Sequence, residues 1–285
     1  AKETDIHAAA ELINNSRRPV ILSGHGVLIS KAFDELKDFA EKGGIPVITT
    51  LLGISGISTD HPLSVGMPGM HGVAYASLAL DEADLIVAAG ARFDDRITGD
   101  IKRFARGSKK VQLEIDPTEI NKNVAVDVPV IGDLKHILKQ LLPAIEKSDR
   151  SDWHQRIEHL KSEHPSLRIR ETDELLGQHV VKAISQAAEG RGCMVTGVGQ
   201  HQMWAAQFYR SVTPNNWFTS GGLGTMGFEV PAALGVQVGR PGATVWSIAG
   251  DGGFQMTMSD LATAVENNVA VKFAIFNNNT FKTDL

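Results

Sequence analysis

Thr244-Val245-Trp246-Ser247-Ile248-Ala249 runs into Gly250-Asp251-Gly252, and Val271-Lys272-Phe273-Ala274-Ile275-Phe276 runs into Asn277-Asn278-Asn279. Each is a short apolar run rich in β-branched and aromatic residues, the pattern of a strand. Met258 to Asn267, between them, reads as one helix. Strand, helix, parallel strand is a right-handed crossover unit that leaves both strand ends on one edge of the sheet. Asp251 and Asn278 therefore take corresponding places on the edge where open α/β sheets bind ligands. A carboxylate and a carboxamide oxygen, beside glycines that let a phosphate approach the backbone, suit a hard cation holding a diphosphate. The competing reading makes Asp251 a helix cap and the Asn run a turn, which leaves the pairing of the two strand ends unexplained.

The same rhythm extends in both directions. Val20-Ile21-Leu22, Val47-Ile48-Thr49, Leu85 to Ala89 and Val111 to Ile115 alternate with helical patterns such as Ser30 to Lys42 and Leu134 to Ile145. Met194-Val195-Thr196 and Trp217-Phe218-Thr219 precede the opening stretch. The fold class expected is α/β, with two doubly wound parallel-sheet domains, the second incomplete because the chain stops soon after its last strand. The expected divisions are 1–147 for the first domain, 148–172 for a charged, exposed and partly helical linker, and 173–285 for the second domain.

Composition narrows the function classes. At 285 residues and 42% apolar content the chain can bury two cores. With 28 Lys plus Arg against 33 Asp plus Glu, the net charge of −5 shows no basic footprint, so nucleic acid and anionic membranes are discounted as partners. The single cysteine, Cys193, lies in an expected strand; it allows no intrachain disulfide and fits a reducing, cytoplasmic location. No stretch is long enough to span a bilayer, and the start at Ala1, without an initiator Met, suggests a piece of a longer protein.

Further strand ends in the second half add to the same edge. Gly197-Val198-Gly199-Gln200-His201-Gln202 follows a strand and opens a helix, whose free N–H groups and positive end attract phosphate. Ser220-Gly221-Gly222-Leu223-Gly224-Thr225-Met226-Gly227 sets a polarizable Met226 among glycines after the next strand. Core filler is an equally open reading of Met226.

In the first half, Ser23-Gly24-His25-Gly26-Val27 follows a strand, but Ile29 stands where a third glycine would complete a dinucleotide fingerprint, so nicotinamide binding is not expected. Other turns there mix glycines, apolar side chains and single charges, as a long nucleotide cofactor requires. They are Thr50-Leu51-Leu52-Gly53, Pro68-Gly69-Met70-His71-Gly72, Gly90-Ala91-Arg92-Phe93-Asp94, Glu114-Ile115 and Gly132-Asp133-Leu134. Asp133 as a helix cap, Arg92 in a surface ion pair and His71 as a turn residue are the alternatives.

Gly250-Asp251-Gly252 followed by Asn277-Asn278 resembles the thiamine-diphosphate signature. The wording of 198–207, 219–228 and Arg92-Phe93-Asp94-Asp95-Arg96 is similar to the acetolactate synthase catalytic subunit family across nearly the whole chain. The resemblance implies that Val198, Gly199, Gln200, His201, Gly252 and Gly253 face the diphosphate. It implies that Gly224 and Met226 hold the pyrimidine, and that Asp251, Asn278 and Thr280 hold Mg2+. For FAD it implies Gly24, Gly26, Thr50, Leu51, Pro68, Gly69, Met70, His71, Gly90, Ala91, Arg92, Phe93, Asp94, Glu114, Ile115, Asp133 and Leu134, with Glu114 where the family has an aspartate. The implied reaction condenses pyruvate with a second 2-oxoacid, in a homodimer or larger assembly that can carry a regulatory subunit. The family's activating glutamate lies in an N-terminal pyrimidine-binding domain with no counterpart here, so no catalytic residue is assigned and the chain alone is expected to be inactive. Glyoxylate carboligase, pyruvate oxidase and a non-catalytic nucleotide-binding module are the rival readings.

Overall fold

The structure, a computed structural model, describes residues 1–278. The chain divides into two compact units at Arg168/Ile169. In the first, six strands, β1 (Pro19–Ser23), β2 (Val47–Thr49), β3 (Ser64–Gly66), β4 (Leu85–Ala89), β5 (Lys109–Glu114) and β6 (Val128–Ile131), form one sheet in the order β3-β2-β1-β4-β5-β6. Every pairing is parallel. The connections wind outward in opposite directions from β1 and β4, so the strand order reverses between those two.

Both faces of this sheet are covered, because successive strand residues serve opposite cores. Ile21, Val47, Val87, Val111 and Leu113 pack with α1 (Glu3–Asn15), α2 (His25–Ile29), α3 (Phe33–Gly43) and α6 (Leu134–Leu141). Val20, Leu22, Ile48, Ile86 and Ala88 pack with α4 (Ala74–Glu82) and α7 (Ser151–Glu163). A one-turn helix, α5 (Asp95–Thr98), follows β4 and is capped by the Asp94 carboxylate.

The second unit holds β7 (Cys193–Thr196), β8 (Trp217–Thr219), β9 (Val245–Gly250) and β10 (Lys272–Phe276), all parallel, in the order β10-β9-β7-β8. Its helices are α8 (Gly177–Ala187), α9 (Gln200–Phe208), α10 (Glu229–Gly239), α11 (Asp251–Thr257) and α12 (Leu261–Glu266). Here the order reverses between β7 and β9. The expected fold class, parallel α/β sheets in two units, is what the chain forms.

Several boundaries differ from the sequence expectations. The helix expected at Met258 to Asn267 is α12, entered through a 3-10 turn at Met258–Asp260, and an additional helix not expected from the sequence, α11, precedes it from Asp251. Gly252 and Gly253, expected at the diphosphate, lie in the first turn of α11. The helix expected at Ser30 to Lys42 begins earlier, as α2, and restarts as α3 after Lys31 takes a positive φ. Pro143 converts the end of the expected 134–145 helix into a 3-10 turn. The segment expected as an exposed linker contains α7, whose Trp153, Ile157 and Leu160 are buried in the first unit's core, with Trp153 Nε1 donating to the Pro19 carbonyl at 3.0 Å. Its high charge hid a stripe of three apolar residues at helical spacing.

Candidate functional site

All four strands of the second sheet end on one edge, which collects the loops after β7, β8, β9 and β10. Phe276 pairs with Gly250, so Asn277 and Asn278 leave β10 beside Gly250 and Asp251. Asp251 is the first residue of α11 and makes no capping hydrogen bond, contrary to the helix-cap reading. The Asn278 amide donates to Gln200 Oε1 at 3.1 Å, joining the β10 end to the start of α9. Thr280 lies outside the described residues.

His201 fills the centre of this edge. Its ring stacks near Phe276 at 6.5 Å, and it is buried with no hydrogen-bond partner for Nε2 among the described residues. A methyl group on Gly250 would come within 2.9 Å of the ring, and one on Gly199 within 3.0 Å. Gly199 also has φ +147°, so only glycine serves there without strain. Burial pushes the His201 pKa down to about 4, against an opposing pull from Asp251, which keeps the imidazole neutral near pH 7. Gln202, also buried, donates to Thr219 Oγ1 at 2.7 Å and ties α9 to the end of β8, while Thr196 Oγ1 donates to the same Thr219 Oγ1 and joins the ends of β7 and β8.

The glycine-rich loop after β8 reaches the same region. A methyl group on Gly224, which is exposed and has φ +79°, would lie 4.0 Å from the Val198 side chain. Thr257 Oγ1 donates to the Gly227 carbonyl at 2.9 Å, fixing the loop to α11, and Met226 is half-buried. The edge thus combines backbone N–H groups at the start of α9, a carboxylate, a carboxamide and glycines where side chains would collide. That donor set fits a diphosphate and a hard cation. Among the described residues no cluster of three or more His, Cys, Asp and Glu gathers as a self-sufficient metal cage. A site with one carboxylate and one amide needs phosphate oxygens to complete a cation's shell.

In the first unit the residues expected at a nucleotide cofactor also follow the C-terminal ends of parallel strands, one group per strand. Gly24 and Gly26 follow β1; Thr50 and Leu51 follow β2; Pro68, Gly69, Met70 and His71 follow β3. Gly90 to Asp94 follow β4, Glu114 and Ile115 end and follow β5, and Asp133 and Leu134 follow β6. Gly24 and Gly26 press against Gly90 at the point where the strand order reverses, and a methyl group on Gly24 would overlap the Gly90 carbonyl. Other members have duties inside the fold. Asp133 caps α6 through the His136 amide, Arg92 pairs with Asp94 at 2.5 Å, and Phe93 is buried edge-on against Phe104. The Glu114 carboxylate turns back to accept from the Ile115 and Asp116 amides. Met70 and Ile115 are exposed large apolar groups on this edge, and His71 is held below its ordinary pKa by burial and Arg96.

One residue of the second site escaped the sequence reading. Glu229, the first residue of α10, is fully buried, and among the described residues neither carboxyl oxygen has a hydrogen-bond partner of normal geometry. Its only signal in the sequence is that it is the single charge within the apolar run from Phe228 to Val238.

Glycine turns at the reversal point of a parallel sheet, with an acid and an amide at the ends of adjacent strands, are features suited to a diphosphate cofactor. Comparison with known proteins is specific: residues 6–141 match the thiamine pyrophosphate enzyme central domain, and residues 197–283 match the C-terminal thiamine-pyrophosphate-binding domain. The chain belongs to the thiamine pyrophosphate enzyme family. Within it the chain is similar to acetolactate synthase of Mycobacterium leprae, 41% identical over 96% of this chain and 45% of that protein. It is 44% identical to the acetolactate synthase large subunit of Corynebacterium glutamicum, over 96% of this chain and 45% of that one. The probable acetolactate synthase large subunit of Methanocaldococcus jannaschii is also 44% identical, over 96% and 48% of the two chains. The chain spans about half the length of these relatives.

Proposed function

We propose that the chain is the part of an acetolactate synthase large subunit that holds the diphosphate end of the cofactor and its metal ion. The observation that carries this reading is the convergence of three strand ends on His201: Gly199 after β7, Gly250 and Asp251 after β9, and Asn278, through Gln200, after β10. Thiamine diphosphate supplies the carbanion chemistry by which one 2-oxoacid, pyruvate, is joined to a second. The free N–H groups at the start of α9 bind the phosphates, and Asp251 and Asn278 hold Mg2+. Neutral His201 adds a hydrogen-bonding group without a competing charge, while Gly224 and Met226 flank the organic part of the cofactor.

FAD is proposed for the edge of the first sheet. Six consecutive strand-end turns line it, two of them packed glycine to glycine. A dimer or larger assembly, a regulatory subunit and a cytoplasmic location belong to the same reading.

The test is reconstitution. Supplied with pyruvate, thiamine diphosphate, Mg2+ and FAD, a chain extended to the length of its relatives should form acetolactate, and Asp251→Ala in that chain should abolish it. Failure of Mg2+ and thiamine diphosphate to bind the extended chain would refute the proposal. FAD that causes neither fluorescence quenching nor a shift in melting temperature would remove the flavin from it.

A further inference from the structure

Beneath the diphosphate edge the chain buries an acid that the site as described does not use. Glu229 lies at the base of α10, with its carboxyl wedged between two glycine turns. A methyl group on Gly197, where β7 ends, would sit 2.5 Å from the carboxyl, and one on Gly253, in the first turn of α11, 2.6 Å from Oε1. Those turns carry Gly199 and His201 on one side and Asp251 on the other. The two glycines are the complement of this side chain, because no larger residue leaves room for it.

Among the described residues the wedge brings no counter-charge. The elements packed against α10 are β7, β9, α11 and the 3-10 turn after it, and their titratable groups are Cys193, Asp251 and Asp260. None is a cation. Burial drives the Glu229 pKa up; its own amide and that of Gly227, at the positive end of α10, offset this only in part. An ionised carboxylate there would be a buried charge with no cation beside it among the described residues and only those two backbone amides to offset its lost hydration, a costly arrangement.

We propose that the Glu229 carboxyl is the strut that spaces the Gly197 turn from the Gly253 turn, and that it does so only in its uncharged form. It is a positioning residue. It touches neither phosphate nor metal, and it acts through the two turns that do. The inference rests on the reading of this edge as a diphosphate site. Ionisation would place a negative charge beneath an anionic ligand and load the wedge with a group that demands water, so affinity for the diphosphate should fall as pH rises.

The experiment compares the protein with Glu229→Gln, which keeps shape and removes the ionisation, from pH 5 to 9 in two series. The first is the thermal midpoint without cofactor; the second is the dissociation constant for thiamine diphosphate with Mg2+. A group whose folded pKa is raised gives stability that is complete at low pH and lost as pH climbs through the folded value. The wild-type midpoint should therefore fall away from that of Glu229→Gln as pH rises, and wild-type affinity should weaken by about tenfold or more while the variant stays flat. Parallel midpoint profiles overturn the proposal. So do diverging midpoints with parallel binding profiles, which would confine the carboxyl to folding. Diverging midpoints with no binding by either protein at any pH would uphold the uncharged strut and refute the diphosphate reading instead. Glu229→Met, of similar length and also uncharged, replaces the Gln variant with the same expectations if that variant does not fold.

Discussion

The Asn278 side-chain amide donates to Gln200 Oε1 at 3.1 Å, so an amide at the end of β10 is aimed by a residue at the start of α9. The bond fixes which atom of Asn278 is occupied by protein, directing its nitrogen toward Gln200. Gln200→Ala should weaken binding of thiamine diphosphate with Mg2+ by roughly five- to tenfold, the worth of one ordinary hydrogen bond. Titration calorimetry at saturating Mg2+ measures it. Unchanged affinity would show that the Asn278 orientation is set elsewhere.

Gly24 and Gly90 meet backbone to backbone at the reversal point of the first sheet. Gly24→Ala should cost at least about 3 kcal/mol, since both neighbours are main chain and cannot yield. Gly222→Ala, at a turn with nothing within 4 Å, should change stability by less than about 0.5 kcal/mol. Urea midpoints of the two variants make the comparison.

Trp153 seals the α4 face of the first sheet. A chain ending at residue 168 should fold cooperatively, whereas one ending at 147, without Trp153, Ile157 and Leu160, should not. Trp153→Ala in the whole chain should cost about 3–5 kcal/mol. The cooperativity of the far-ultraviolet thermal transition separates the two truncations.

Arg156 grips Glu82 with two hydrogen bonds of 2.8 and 2.5 Å, joining α7 to α4. The guanidinium holds the Glu82 carboxyl below its ordinary range. A depressed folded pKa gives stability that is present above the unfolded value and lost as pH falls through the folded one. Both groups are partly exposed, so Glu82→Gln should cost only about 0.5–1 kcal/mol at pH 7. That difference should shrink progressively as the medium is acidified below the ordinary glutamate value and through the depressed folded one. Denaturant unfolding of both proteins at pH 7 and pH 3.5 tests it.

The strands with unbroken apolar runs were legible because burial on both faces demands just that pattern: Val47–Thr49, Leu85–Ala89, Cys193–Thr196 and Trp217–Thr219 begin and end where the sequence places them. β3 and β6 were not. Ser64-Val65-Gly66 has one buried residue, and Val128-Pro129-Val130-Ile131 contains a proline, which is tolerated because β6 is an edge strand. The site was legible where its residues speak through spacing, as Asp251 and Asn278 do. Its depth was not, because what makes His201 neutral and Glu229 solitary is three-dimensional enclosure by residues from other strands. The charged segment after Lys147 misled for a related reason: seven in ten residues of a helix can face water while the remaining few anchor it.

The pairing of Phe276 with Gly250 has a consequence for how this protein tolerates insertions. Adding one residue inside β10, before Phe276, would advance the rest of that strand by a single rung, about 3.3 Å, and swing the side chains beyond it to the opposite face of the sheet. Asn278 would leave Gln200, and Phe276 would leave His201, in the same movement. The ladder of main-chain bonds acts as the ruler that sets Asp251 beside Asn278, and length variation that a connecting loop absorbs is not tolerated within β9 or β10.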